Sequence, residues 1–180
     1  MYRKKRIWQL KCSCYNTYMK LVSKSIIETK NIAHDLVRAL ASARLSGRAT
    51  VLALAGDLGA GKTALTKAIA HELGVAEDVT SPTFVLEKIY RLPKKMPFEH
   101  LVHIDAYRLE GVHELEAIGW DEALAHHGNL IVIEWPERVD QAIPHTAHTV
   151  RLRAVNETTR EIIIPKSLVP LWPEPKTKKN

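Results

Sequence analysis

The chain has 180 residues, 46% hydrophobic and 26% charged, which is typical of one soluble globular domain. No apolar run approaches the ~18–20 residues that a membrane-spanning helix needs, so a membrane partner is not expected. The net charge of +6 comes from residues 1–20, which hold six basic and no acidic side chains, so the other 160 residues carry 20 of each. A basic face over the globular part is therefore excluded, and DNA is not expected as a partner.

Residues 1–18 are predicted to be a basic, disordered extension, and an arm that contacts RNA is the alternative. Met19 begins a segment suited to a first strand. Cys12 and Cys14, the only cysteines, both lie in this extension. Two thiols cannot form a four-ligand zinc site alone, and a core without cysteine argues against a secreted disulfide scaffold. We therefore expect a cytoplasmic protein.

Apolar residues at helical spacing predict a first helix over Ile32–Leu45, which Thr29 or Asn31 could cap. A second amphipathic helix is predicted over Ala64–Leu73, where Gly74 follows as a terminator. Two short helices are predicted further along the chain, over Glu114–Ile118 and Asp121–Ala125.

Short apolar runs predict the strands. Thr50–Ala55 precedes a glycine-rich segment, and Leu130–Ile133 is apolar throughout, as in a strand buried on both faces. The remaining predicted strands are Thr83–Tyr90, Leu101–Ala106, and an antiparallel pair formed by Thr149–Ala154 and Glu161–Ile164. This order predicts a single α/β domain over residues 19–166, with a mixed parallel and antiparallel sheet flanked by helices. Residues 167–180 are predicted to be a disordered tail rich in proline and lysine.

The segment Gly56-Asp57-Leu58-Gly59-Ala60-Gly61-Lys62-Thr63 matches the P-loop pattern G-x-x-x-x-G-K-[ST]. Its glycines allow the backbone to approach phosphate oxygens, and the N–H groups of residues 59–63 would donate to them. The Lys62 ammonium can bridge the β- and γ-phosphates, and the Thr63 hydroxyl can bind Mg²⁺. Because an apolar strand precedes the loop and an amphipathic helix follows it, the pattern predicts a P-loop NTPase fold that binds a nucleoside triphosphate with magnesium.

Two acidic residues stand at predicted strand ends, Asp105 after Leu101–Ile104 and Glu134 after Leu130–Ile133. If both strands run parallel to Thr50–Ala55, both carboxylates emerge at the same edge of the sheet as the P-loop. An ordinary strand-end charge is the alternative for either residue alone. The chain contains no Asn-Lys-x-Asp segment of the kind that reads guanine, which favours ATP.

These residues predict attack of water on the γ-phosphoryl group. Lys62 and Mg²⁺ would stabilise the charge that develops during the reaction, and Asp105 would position the water. A small-molecule kinase is one alternative, although residues 91–99 are too short to resemble its lid. A nucleotide-gated binding module without significant turnover is the other.

Four blocks together resemble the TsaE (YjeE) family over roughly residues 20–165: the P-loop, Thr80–Phe84, His103–Leu109 and Ile133–Glu137. The resemblance implies a bacterial ATPase, weak alone, that acts with TsaD and TsaB. That assembly makes N6-threonylcarbamoyladenosine at position 37 of tRNAs that read ANN codons. Contact with tRNA would then be indirect, through the complex.

The resemblance also implies roles for individual residues. Thr63 and Glu134 match the magnesium positions, and Asp105 matches the residue associated with hydrolysis. The phosphate-binding positions lie in the P-loop and the start of its helix: Gly56, Gly59, Ala60, Gly61, Lys62, Thr63 and Ala64. A switch-like segment that moves with the nucleotide state is matched by Thr80, Ser81 and Thr83.

Three residues have two interpretations each. Thr29 matches a threonine near the adenine, but it could instead cap the first helix. Arg160 could approach the base or remain a solvated turn residue. Trp135 could stack near the nucleotide, although packing against its own fold is favoured.

Overall fold

The computed structural model describes residues 9–13, 16–80, 82 and 86–173. Within these ranges the strands are β1 (Gln9–Ser13), β2 (Asn16–Ser23), β3 (Thr50–Ala55), β4 (Glu87–Arg91), β5 (His100–Asp105), β6 (Asn129–Glu134), β7 (His148–Ala154) and β8 (Arg160–Ile164). The α-helices are α1 (Ile26–Ser42), α2 (Lys62–Glu72), α3 (Val112–Ala117) and α4 (Trp120–Ala125).

All the described strands belong to one sheet with the order β1-β2-β8-β7-β3-β6-β5-β4. The four central strands β7, β3, β6 and β5 are parallel, and the strands on both flanks are antiparallel. The predicted mixed sheet and the antiparallel pairing of β7 with β8 are thereby confirmed. Because β3, β6 and β5 are parallel neighbours, their carboxyl ends meet at one edge, where Asp105 is the cross-strand partner of Glu134.

Alternate residues of the central strands pack on opposite faces of the sheet. Leu52 and Leu54 lie in the apolar cluster that includes residues of α1 and α2. Val51 and Ala53 lie in the second cluster, with Leu115 of α3 and Trp120 of α4. The sheet is thus covered by helices on both faces, as expected for parallel strands.

Two elements begin several residues away from their predicted starts, whereas the other helices and strands predicted with bounds shift by two residues or fewer. Helix α1 begins at Ile26 because Ser25 caps it, with its hydroxyl accepting a hydrogen bond from the Glu28 N–H at 3.2 Å. Thr29 therefore lies in the first turn and does not cap the helix. Strand β4 begins at Glu87, since Leu86 has a left-handed φ of 65° that interrupts an extended chain.

Both predicted domain boundaries differ from the structure within the described residues. Strand β1 pairs with β2, so the sheet extends into the segment predicted as a disordered extension over residues 1–18. Leu168 and Trp172 are buried against the α1 side of the sheet, so the predicted tail begins as packed structure. Residues 1–8, 14–15 and 174–180 lie outside the described ranges. Among the described helices, none has the length and apolar character required to cross a membrane.

Candidate functional site

The loop between β3 and α2 adopts a conformation that glycine favours at three positions. Gly56, Gly59 and Gly61 have φ values of 141°, 77° and 100°. Gly56 also passes so close to β7 that a Cβ there would lie 2.2 Å from the Leu152 carbonyl oxygen. The glycines thus allow the chain to turn tightly and to begin α2 immediately after Gly61.

The Lys62 ammonium is folded onto the loop. Its Nζ donates to the Gly56 carbonyl at 2.5 Å and to the Asp57 carbonyl at 3.0 Å. It also lies 3.4 Å from the centroid of the Trp135 ring, within the range of a cation–π interaction. Burial lowers the pKa of Lys62, although nearby carboxylates, Glu134 foremost, act in the opposite direction. The cation is therefore held at the loop by two neutral carbonyl acceptors, which an anionic phosphate could replace.

Glu134 is the centre of a buried hydrogen-bond network and is only 1% exposed. Its Oε2 accepts from the Thr63 hydroxyl at 2.8 Å, and its Oε1 accepts from the Thr66 hydroxyl at 3.0 Å. Oε1 is also 2.9 Å from Nε2 of His103. The predicted magnesium residues Thr63 and Glu134 are therefore in direct contact. A hydroxyl and a carboxylate are oxygen ligands of the kind that Mg²⁺ prefers, so the donor set fits this ion.

Asp105 is buried at the end of β5, beside Glu134. Its carboxylate accepts a hydrogen bond from the Tyr107 N–H at 3.1 Å, which caps the short turn that follows the strand. Asp105, Glu134 and the P-loop line one open cleft of about 380 Å³. Within the P-loop region the lining residues are Leu58, Gly59, Gly61, Lys62, Thr63 and Ala64.

A second, smaller cavity of about 160 Å³ lies on the other side of Gly61 and Ala64. Thr29 and Arg160 both line it. The Thr29 hydroxyl is 2.7 Å from Ser23 Oγ and donates to the Ser25 carbonyl at 3.3 Å. Arg160 is not a freely solvated turn residue, because its guanidinium donates to three backbone carbonyls of the β7–β8 turn, those of Asn156, Glu157 and Thr159. The structure thus places both candidate base-contacting residues beside the P-loop.

The predicted switch residues are only partly described. Thr80 accepts a hydrogen bond from Lys88 Nζ at 2.7 Å and does not line the cleft. Ser81 and Thr83 lie outside the described residues. Leu86, which follows this segment in sequence, contacts the site, because its carbonyl accepts from the Asp105 N–H at 3.1 Å.

Trp135 packs against its own fold, as the favoured interpretation predicted, and it also lines the cleft. Its backbone has a left-handed φ of 61°, and its ring packs against the apolar cluster on the α3 side. The same ring faces Lys62 and lies 5.0 Å from the Tyr107 ring, centroid to centroid. It therefore forms a wall of the cleft as well as part of the core.

Sequence reasoning did not assign His103 or Thr66 a function. The two residues reach Glu134 from β5 and α2, and neither sequence spacing nor residue type alone predicts that convergence. The signal available in the sequence was the position of His103 two residues before Asp105 on the same strand, which puts both side chains on one face.

Proteins of known sequence and structure resemble this chain over most of its length. The tRNA threonylcarbamoyladenosine biosynthesis protein TsaE of Treponema pallidum is 39% identical over 67% of this chain and 85% of its own. The protein of the same name from Streptomyces coelicolor is 38% identical over 67% and 80%. The crystal structure of Bacillus subtilis YdiB superposes with a TM-score of 0.62 and 28% identity, covering 84% of this chain and 87% of its own. Residues 23–162 match the model of the family described as "Threonylcarbamoyl adenosine biosynthesis protein TsaE", and the chain belongs to that family.

Proposed function

We propose that this protein binds and hydrolyses ATP with Mg²⁺ and supports the threonylcarbamoyladenosine modification of tRNA as the ATPase that acts with TsaD and TsaB. The names of the relatives from Treponema pallidum and Streptomyces coelicolor refer to the biosynthesis of this modified nucleoside. The observation that supports ATP hydrolysis best is the contact between Thr63 and Glu134, which joins the P-loop helix to the end of β6 at 2.8 Å. A role in tRNA modification would place the protein in the cytoplasm, with tRNA contacted through the complex.

The magnesium ion would be held by Thr63 and Glu134. When bound, it would neutralise charge on the β- and γ-phosphates, as it does in other P-loop proteins. Glu134 suits this task because its carboxylate is buried and oriented by hydrogen-bond donors on both oxygens.

The phosphates themselves would be bound by the P-loop. The backbone N–H groups of residues 59–63 and the N-terminal end of α2 would donate to phosphate oxygens. Lys62 would exchange the carbonyls of Gly56 and Asp57 for phosphate oxygens, and the phosphate charge would favour its ammonium form. Because the Trp135 ring lies against the Lys62 ammonium, it would limit the positions that Nζ can take.

Asp105 is the proposed water-positioning residue. Its carboxylate lines the same cleft as Lys62, Thr63 and Glu134, and it could accept a hydrogen bond from water near the γ-phosphate. Thr29 and Arg160 would flank the nucleoside from the smaller cavity. Thr80, Ser81 and Thr83 would respond to the nucleotide through Leu86 and Asp105.

Release of inorganic phosphate from ATP tests this function. The full chain would be assayed alone, with TsaB and TsaD, and with both proteins and tRNA, using Lys62→Ala as the inactive control. We expect slow release by the chain alone and faster release in the complex. If ATP binds and the complex forms while release stays at background, the protein is a nucleotide-gated binding module. Transfer of phosphate to a small acceptor instead of water would identify a kinase.

A further inference from the structure

His103 is a buried imidazole that makes one polar contact among the described residues. Its side chain is 0% exposed, and Nε2 lies 2.9 Å from Glu134 Oε1. Because a carboxylate only accepts hydrogen bonds, Nε2 carries the hydrogen and donates it. The other ring nitrogen, Nδ1, is buried without a hydrogen-bond partner in the described part of the chain. An apolar side chain would fill the same space without burying an unpaired nitrogen, so packing alone does not account for histidine here.

Thr66 approaches the same carboxylate oxygen from α2. Its hydroxyl lies 3.0 Å from Glu134 Oε1 and 3.1 Å from the Lys62 carbonyl oxygen. The hydroxyl has one hydrogen, and the ionised carboxylate is the stronger acceptor of the two. Oε1 is thus held by donors from β5 and α2. Within the described ranges, Thr63 is the one hydrogen-bond donor to Oε2, and Thr63 itself lines the cleft.

We infer that His103 and Thr66 are positioning residues that fix Glu134 Oε1 and thereby direct Oε2 and Thr63 toward the magnesium site. The inference rests on the magnesium site of the proposed function. The two oxygens have different tasks. Oε1 keeps its two donors whether or not nucleotide is bound, and the Thr63 hydroxyl can turn from Oε2 to the ion. Without the two donors the carboxylate could rotate, and Oε2 would lose its fixed direction.

The two positioning residues should strengthen metal-dependent nucleotide binding and leave metal-free binding unchanged. Outer hydrogen-bond partners of metal ligands commonly contribute ~10–100-fold in metal affinity. In contrast, the groups that would bind phosphate are the loop N–H groups and the Lys62 ammonium. The hydroxyl of Thr66 reaches only the carbonyl oxygen of Lys62, which would not bind phosphate. A merely structural defect would weaken both kinds of binding together.

The test measures binding of adenylyl-imidodiphosphate by titration calorimetry in Mg²⁺ and in EDTA. The ratio of the affinity in Mg²⁺ to the affinity in EDTA measures the metal-dependent part of nucleotide binding. We expect Thr66→Val and His103→Leu each to lower this ratio about 10-fold or more, with the affinity in EDTA unchanged. Thr66→Ser keeps the hydroxyl, and His103→Gln places an amide donor near the position of Nε2. Both variants should therefore keep most of the ratio measured for the unaltered chain.

Two reference variants separate this inference from the magnesium site itself. Glu134→Gln should bring the ratio of affinity in Mg²⁺ to affinity in EDTA close to 1. His100→Gln replaces another histidine of β5 that lies outside the cleft, and it should leave the ratio unchanged. If the ratio falls in Glu134→Gln but is unchanged in Thr66→Val and His103→Leu, the positioning role is overturned and the magnesium site stands. If the ratio is unchanged in Glu134→Gln as well, both are overturned. Thr66→Val is nearly isosteric, so it carries the test if His103→Leu does not fold. An equal loss of affinity in Mg²⁺ and EDTA would likewise overturn the positioning role.

Discussion

Replacing Gly56 with alanine should destabilise the fold and weaken nucleotide binding together. Gly56 has a φ of 141°, a region that residues with a side chain rarely adopt. A Cβ at this position would also lie 2.2 Å from the Leu152 carbonyl oxygen, whereas a carbon and a carbonyl oxygen normally approach to ~3.3–3.6 Å. The obstacle is backbone of the central strand β7, which cannot rotate away. The P-loop or β7 must therefore move by about 1 Å, estimated from that normal separation.

Two separate costs set the expected loss in the free energy of unfolding. Holding a residue with a side chain at such a φ costs roughly 1–3 kcal/mol. Forcing an extra methyl group into a packed site costs roughly another 1–3 kcal/mol. We therefore expect Gly56→Ala to lower the free energy of unfolding by about 4 kcal/mol, the sum of the two midpoints. For a domain of this size such a loss corresponds to a fall in Tm of about 8–16 °C.

Urea denaturation of Gly56→Ala and of Gly47→Ala would separate the two costs. Gly47 also has a left-handed φ, 83°, but a Cβ there would have no atom within 4 Å. Gly47→Ala should therefore show only the backbone cost, about 1–2 kcal/mol. If the two variants were equally stable within about 0.5 kcal/mol, the contact with Leu152 would have no energetic consequence and the reasoning would be refuted.

The remaining predictions concern hydrolysis, pH and the C-terminal segment. Asp105→Asn should retain ATP binding, measured by calorimetry, and lose most of the phosphate release stimulated by the partners; unchanged release would remove the proposed role. Burial lowers the pKa of His148 below its usual 6.5, so the unfolded chain takes up a proton there before the folded chain does. The free energy of unfolding should consequently fall as the pH drops through about 6.5, and urea titrations should show a flatter profile for His148→Gln. Trp172→Ala should cost about 3 kcal/mol because Trp172 is 9% exposed, whereas Leu171→Ala should cost well under half of that because Leu171 is 36% exposed. Equal losses for these two variants would contradict the packing of residues 168–172.

The local elements of the nucleotide site could be predicted because their signals are local. The strand Thr50–Ala55 was predicted with the bounds that the structure has. The P-loop pattern specifies glycines at positions of positive φ, a lysine at the start of α2 and a hydroxyl beside it. The apolar run Leu130–Ile133 likewise predicted a strand buried on both faces, which β6 confirms. Each of these features depends on neighbours within a few residues, so sequence spacing carries the information.

The convergence on Glu134 was decided only by the tertiary structure. Thr63 and Glu134 are 71 residues apart in sequence, and His103 and Glu134 are 31 apart. Both acids are predicted at strand ends, and at one edge if their strands run parallel to Thr50–Ala55; no local pattern encodes the strand order that meets this condition. The pairing of β1 with β2 and the contact of Gly56 with β7 have the same origin. By itself the sequence determined a phosphate-binding loop and its flanking elements. The folded sheet decided which distant side chains complete the site, because burial and hydrogen bonding between separate strands select those partners.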